Sequence, residues 1–113
     1  MVNSSPEFKE LISKLSQLDT CAISDTLDSL NLPGATIGLR SLWGSPKIVG
    51  RIITVQIVPK TDVKPSEHLN TAAIEFGQEG DVIVVANGGR TDVSCWGDIL
   101  ANAAIKCPSG KPA

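Results

Sequence analysis

The sequence predicts an α/β fold, because segments with helical periodicity alternate with two segments that have the composition of strands. Residues 82–86 form a continuous apolar run, and residues 48–58 are rich in β-branched side chains that alternate along the chain. Amphipathic segments precede, separate and follow these strands, in the order α, α, β, α, β, α. This alternation predicts a layered structure in which residues 82–86, apolar on both faces, are covered by helices on both sides.

The predicted helices have recognisable start and stop signals. Asp19 or Thr20 is the expected N-cap of the second helix, Ser66 caps the third, and Gly77 ends the third. The predicted spans are 7–18, about 20–30, 67–76 and 97–106. Residues 1–106 are therefore predicted to form a partial α/β domain, and residues 107–113 a disordered tail.

Composition excludes several classes of function. Ten Lys and Arg residues stand against twelve Asp and Glu, a net charge of −2, so the chain has no positive field that would gather nucleic acid. The longest apolar run is far too short to span a membrane. Three widely spaced cysteines without CxxC spacing predict neither a disulfide framework nor a zinc site, and favour a reducing, cytoplasmic location.

The most informative stretch is residues 80–100, where a strand is followed by a glycine loop and a helix start. Gly88 and Gly89 allow the backbone to turn sharply and to approach a ligand closely. The first N–H groups of a helix lack internal partners and lie at its positive end, so they bind carboxylates and phosphates. The backbone from Gly97 to Leu100 is therefore a candidate anion site. The alternative is an ordinary turn, with Trp96 as a core residue.

Asp98 opens the predicted fourth helix and has two interpretations. An acidic residue in a first turn commonly serves only to complement the helix dipole. Beside an anion site, the same carboxylate can hold a divalent cation or its water ligands.

Other side chains that could take part in catalysis or binding lie in less informative sequence contexts than Asp98. His68 is the single histidine and is predicted to be a solvated surface residue, while Cys95 lacks a neighbouring base and is predicted to be a buried structural thiol. Arg90 could bind a carboxylate or could simply be solvated. Asp92 is a weaker acidic candidate, and Asp81 is most simply a turn residue.

Several blocks resemble the RraA-like family, which includes 4-hydroxy-4-methyl-2-oxoglutarate aldolases, oxaloacetate decarboxylases and regulators of ribonuclease activity. They are Ser24-Asp-Thr-Leu, Val49-Gly-Arg-Ile-Ile-Thr-Val, Glu67-His-Leu-Asn-Thr-Ala-Ala-Ile-Glu, Gly80-Asp-Val-Ile-Val-Val, Asn87-Gly-Gly and Trp96-Gly-Asp-Ile-Leu. The resemblance implies an α/β/α sandwich, a homotrimer, a divalent metal such as Mg²⁺, and a 2-oxo acid substrate cleaved through a pyruvate enolate.

The resemblance also implies roles for particular residues. Backbone amides at Gly97, Asp98, Ile99 and Leu100 would bind the substrate, and Asp98 would act in catalysis by holding a metal-bound water. In the family, an Arg-Asp pair follows this acid after about twenty residues, and the chain ends at Ala113 before such a pair. A chain truncated before its C-terminal strands, with impaired lyase activity, is therefore expected. The alternative is a non-catalytic binding or regulatory protein.

Overall fold

A computed structural model describes residues 5–42, 44–64 and 68–106. The chain divides into two compact units, with the boundary between Val49 and Gly50. The elements are helices α1 (Pro6–Gln17), α2 (Thr20–Ser29), α3 (Leu69–Phe76) and α4 (Asp98–Lys106), and strands β1 (Ile52–Gln56) and β2 (Val82–Ala86). This confirms the mixed α/β class and the predicted element order. The predicted N-cap Ser66 and the predicted tail 107–113 lie outside the described residues. The N-cap of α3 is His68, so this helix begins two residues later than predicted.

The first unit contains two helices that begin at side-chain caps. The Ser5 hydroxyl accepts a hydrogen bond from the Phe8 N–H at 3.2 Å, ahead of Pro6 in the first turn of α1. The Asp19 carboxylate accepts one from the Ala22 N–H at 2.7 Å, so Asp19 is the N-cap of α2. Each cap satisfies an N–H group that has no partner inside its helix.

The second unit contains a two-stranded parallel sheet. β1 pairs with β2 in a register that runs from Ile52 opposite Val82 to Gln56 opposite Ala86. β1 is shorter than the predicted 48–58, because β2 offers five residues for pairing between the turns that precede and follow it. One further hydrogen bond, from the Ile57 N–H to the Ala86 carbonyl at 2.9 Å, extends the ladder beyond β1.

The core of the second unit lies between the sheet and α3. Its buried apolar residues among those described are Val55 of β1 and Ala73 and Ile74 of α3, which are 4–7% exposed. β2 is less covered than its apolar sequence predicts: Val84 is 38% exposed. Among the described elements, α3 packs against β1 and α4 packs against α3. The expected cover on both faces of β2 is therefore not seen in this part of the chain.

The two strands begin at a close contact between glycines. A Cβ atom added to Gly50 would lie 2.1 Å from the carbonyl oxygen of Gly80, so no other residue fits at position 50 without moving the backbone. Gly80 has a φ of +89°, in the left-handed region that glycine adopts without strain. The contact places the Val82 N–H 2.8 Å from the Arg51 carbonyl, which forms the first hydrogen bond of the ladder.

An ion pair joins the strands beside this contact. Arg51 donates to Asp81 through Nε at 3.2 Å and Nη2 at 2.7 Å, and the Asp81 side chain is 4% exposed. The Gln78 N–H also donates to Asp81, at 2.8 Å. Asp81 is thus a turn residue, as predicted, and in addition a buried partner of Arg51. The hydrogen bond to Asp81 raises the pKa of Arg51. Stability from a cation with a raised pKa is lost only as pH rises through that pKa, so the contribution of Arg51 to this pair is retained at neutral pH.

Candidate functional site

The glycine loop between β2 and α4 is a tight turn held by its own backbone and one amide. Gly88 and Gly89 have φ values of +62° and +74°, which confirms that both glycines are needed for the turn. The Arg90 N–H donates to the Asn87 carbonyl at 3.3 Å, and Asn87 Nδ2 donates to the Arg90 carbonyl at 2.8 Å. The chain therefore reverses direction at the carboxyl end of β2, where α/β folds place ligands.

Arg90 and Asp92 pair with each other within the loop. Arg90 donates through Nε at 3.0 Å and through Nη2 at 2.7 Å to the two carboxylate oxygens of Asp92, and both residues are exposed. Arg90 is thus an exposed loop residue whose guanidinium is paired with the protein's own Asp92, and binding of a ligand carboxylate by Arg90 stays a prediction. These hydrogen bonds hold the pKa of Asp92 below its ordinary value.

We expect Arg90→Gln to raise the pKa of Asp92 toward its ordinary value, because the substitution removes the guanidinium that stabilises the charged carboxylate. The stability contributed by this pair is complete above the ordinary pKa of Asp92 and is lost as pH falls through the lowered value. An NMR titration of the Asp92 carboxyl carbon in both proteins measures the change. The same pKa in both would show that Arg90 and Asp92 are not paired in solution.

The helix start brings the predicted anion-binding residues together in one turn. α4 begins at Asp98, one residue later than predicted, and the Gly97 carbonyl accepts its first hydrogen bond from the Ala101 N–H at 3.0 Å. The Asp98 carboxylate is exposed and accepts a hydrogen bond from the Ile99 N–H at 2.9 Å. One of the predicted anion donors is thus occupied by the protein's own carboxylate. Substrate binding by Gly97, Asp98, Ile99 and Leu100 stays a prediction.

The described residues do not form a direct metal site. Within ranges 5–42, 44–64 and 68–106, no group of three or more His, Cys, Asp or Glu side chains could hold a metal ion. Asp98 therefore supplies a single exposed carboxylate, and Mg²⁺ held by it would take most of its six oxygen ligands from water or substrate. The described residues alone do not build a metal site, and the indirect role of Asp98 through a metal-bound water stays a prediction.

Asn70 is a buried polar residue that sequence reasoning missed. Its side chain lies on the buried stripe of α3 with Ala73 and Ile74, and the residue is 6% exposed. Nδ2 donates to the Cys95 carbonyl at 2.8 Å, while Oδ1 has no hydrogen-bond partner among the described residues. An unpaired buried acceptor costs about 1–3 kcal/mol. The sequence did contain a signal for its burial: Asn70 lies three and four residues before the apolar Ala73 and Ile74, on the same face of the helix.

A cavity of about 400 Å³ lies beside the second half of the loop. Its polar lining residues are Lys60, Thr61, His68, Asn70 and Ser94. The Ser94 hydroxyl donates to the Trp96 carbonyl at 3.0 Å, so one wall of the cavity is tied to the residue that precedes Gly97. The cavity is large enough for a small organic anion and borders the loop that leads to α4.

The remaining predicted residues occupy ordinary positions. His68 is exposed, as predicted, and its Nδ1 lies 3.4 Å from the Thr71 hydroxyl. Cys95 is a free, half-buried thiol, so the expectation of full burial was wrong. Trp96 is 36% exposed and is not among the buried core residues. Its partial exposure follows from its place in a loop that leads to the exposed start of α4.

A family model described as RraA-like, Aldolase/RraA, matches residues 20–108. The chain belongs to the RraA-like family. The matched range contains Gly50 and Gly80, which meet just before strands β1 and β2, as well as the glycine loop and the start of α4. RraA-like proteins are oligomeric and can depend on a metal.

A curated relative within this family is Protein DlpA of Legionella pneumophila subsp. pneumophila (strain Philadelphia 1). It is 29% identical to the chain over 96 residues, which cover 85% of this chain and 16% of DlpA. The chain thus spans about a sixth of that relative's length. No solved structure gives a significant match. Within the part of this RraA-like chain that the structure describes, every helix is too short or too polar to cross a membrane.

Proposed function

We propose that the helix start at residues 97–100 binds the carboxylate of a 2-oxo acid of the pyruvate type. The observation that carries this proposal is the position of the segment. It follows a left-handed glycine turn at the carboxyl end of β2, and its N–H groups are at the start of α4. Membership of the RraA-like family supports the choice of a 2-oxo acid over other small anions.

The proposal extends to the chemistry of metal-dependent lyases that cleave 2-oxo acids, such as 4-hydroxy-4-methyl-2-oxoglutarate aldolase and oxaloacetate decarboxylase. Cleavage of the carbon–carbon bond leaves an enolate oxygen that needs a cation or preorganised donors. The described residues contribute backbone N–H donors for the substrate carboxylate and one acidic side chain in the first turn of α4, Asp98. The sequence contains no Arg-Asp pair after it. Loss of one oxyanion-stabilising group costs about 10²–10³ in rate. We therefore expect weak lyase activity from these 113 residues alone.

Two substitutions at position 98 test the binding step, with oxalate as a 2-oxo acid mimic and no added metal. Asp98→Ala removes a like charge and frees the Ile99 N–H, so oxalate should bind severalfold more tightly than to the wild type. Asp98→Pro removes the same carboxylate and also the N–H of residue 98, and proline is well accepted at a first helical position. Relative to Asp98→Ala, we expect binding about tenfold weaker, as for one charge-assisted hydrogen bond.

Isothermal titration calorimetry measures the three dissociation constants, and circular dichroism verifies that α4 is retained. The comparison between Asp98→Ala and Asp98→Pro isolates one N–H group, because neither variant has a carboxylate at position 98. Equal affinity of these two variants for oxalate would show that the anion does not bind at the helix start.

The second candidate function is a non-catalytic binding or regulatory role. The observation that favours it is that Asp98 belongs to no metal-binding group of acids, histidines or cysteines among the described residues. Pyruvate release from oxaloacetate in the presence of Mg²⁺ separates the two functions. A rate above the metal-only blank that falls in Asp98→Ala supports the lyase, whereas oxalate binding without any such rate supports the second function.

We place this activity in a homotrimer in the cytoplasm, as part of the same proposal. The family is oligomeric, and Cys21 and Cys95 are both free thiols, as expected in a reducing compartment. Analytical ultracentrifugation of the 113-residue chain tests the trimer directly.

A further inference from the structure

We propose that Asn70 is a positioning residue that holds the start of α4 in its anion-binding geometry; this inference rests on the proposed function. Asn70 lies on α3, 25 residues before Cys95, and its Nδ2 donates to the Cys95 carbonyl at 2.8 Å. Cys95 is two residues before Gly97, so the bond acts directly on the backbone that leads into the helix start.

The geometry explains how one hydrogen bond can set the position of that backbone. A peptide unit is planar, so fixing the Cys95 carbonyl also fixes the direction of the following N–H, that of Trp96. The next carbonyl, that of Trp96, accepts a hydrogen bond from Ser94 at 3.0 Å. Two consecutive peptide units before Gly97 are therefore held by side chains, one of them on another helix.

Helix α3, which carries Asn70, forms the best-packed part of the second unit together with β1. Ala73 and Ile74, which lie on the same stripe of α3, are 6% and 4% exposed and form the core with β1. A rigid helix gives the amide a defined position relative to the sheet. The hydrogen bond from Asn70 therefore fixes the loop relative to the core, whereas the other hydrogen bonds of the loop mainly join residues close in the chain.

The choice of residue also favours positioning over simple packing. An apolar side chain of similar size would fill the same buried position without leaving an unpaired oxygen, whereas Asn70 leaves Oδ1 without a partner among the described residues. The cost of burying this amide is explained if its Nδ2 group is required to hold the loop.

The test compares Asn70→Leu and Asn70→Asp with Ile74→Val, a core substitution on the same helix that removes one buried methyl group and keeps the Asn70 amide. Oxalate affinity is measured by calorimetry well below the melting temperature of every variant. We expect Asn70→Leu to weaken oxalate binding about tenfold, and Ile74→Val to leave it unchanged. For Asn70→Asp, the affinity relative to wild type should recover as pH falls, because a protonated carboxyl can again donate to the Cys95 carbonyl.

A second readout does not need the ligand. In the ligand-free proteins, the NMR amide shifts of residues 97–100 should move in Asn70→Leu and stay in place in Ile74→Val. Unmoved shifts, or an equal loss of oxalate affinity in the two variants, would overturn the positioning role. If wild type does not bind oxalate while these shifts still move in Asn70→Leu, the proposed function fails and the positioning role holds.

Discussion

Replacing Gly50 by alanine is expected to destabilise the chain by about 3 kcal/mol, at the upper end of the usual cost of overpacking. The new Cβ would lie 2.1 Å from the Gly80 carbonyl oxygen, and that atom belongs to the backbone and cannot rotate away. The strand entrances must separate, which strains the Val82 to Arg51 hydrogen bond at the start of the ladder. Chemical denaturation of the variant and the wild type measures the difference.

Gly97→Ala is the matched control for this experiment. It makes the same chemical change, but an added Cβ at position 97 meets no atom within 4 Å. We expect a loss of less than about 1 kcal/mol, the scale of an unfavourable N-cap residue. If Gly50→Ala were no more destabilising than Gly97→Ala, the close approach of the two strand entrances would be refuted.

The second large effect is expected for Ile74→Ala. Ile74 is 4% exposed and lies in the small core between α3 and β1. Removing a buried isoleucine side chain costs about 2–5 kcal/mol, from lost burial and from the cavity that remains. Because only three apolar residues are buried in the part of this unit that the structure describes, the loss cannot be shared among many neighbours. We expect the thermal unfolding transition of this variant to be broader than that of the wild type, or the variant to be unfolded already at room temperature.

Ile105→Ala on α4 controls for the change of residue type. Ile105 is 76% exposed, so the same substitution removes little buried surface, and alanine is the better helix former. Its unfolding free energy should stay within about 0.5 kcal/mol of the wild type. Thermal unfolding followed by circular dichroism compares the two variants, and similar losses in both would mean that Ile74 is not a core residue in solution.

Local signals in the sequence predicted the elements of the fold well. The N-cap at Asp19 or Thr20, the strand at 82–86 and the glycine turn at 88–89 depend on residues that are neighbours in the chain. All three features were found, with Asp19 as the N-cap. Strand β1 was predicted too long, because the length of a parallel strand depends on its partner as well as on its own composition.

Tertiary contacts were the part that the sequence could not reveal. Asp81 has the pattern of a turn residue, and nothing near it in the chain indicates that Arg51 will be its buried partner. Asn70 likewise depends on a carbonyl 25 residues away. The candidate anion site could be proposed from the sequence because it is built from consecutive residues, whereas the contact between Asn70 and the Cys95 carbonyl could not.

The contact between the two strand entrances also constrains the order of events when the chain is made. Arg51 and Asp81 are 30 residues apart, so the sheet closes a long loop, and pairings of this kind form slowly compared with helices. As the chain leaves the ribosome, β1 emerges well before β2, the strand with which it pairs in the described part of the chain. α3 is made between the two strands and can cover the apolar face of β1 during that time, which reduces the risk of aggregation before β2 is complete.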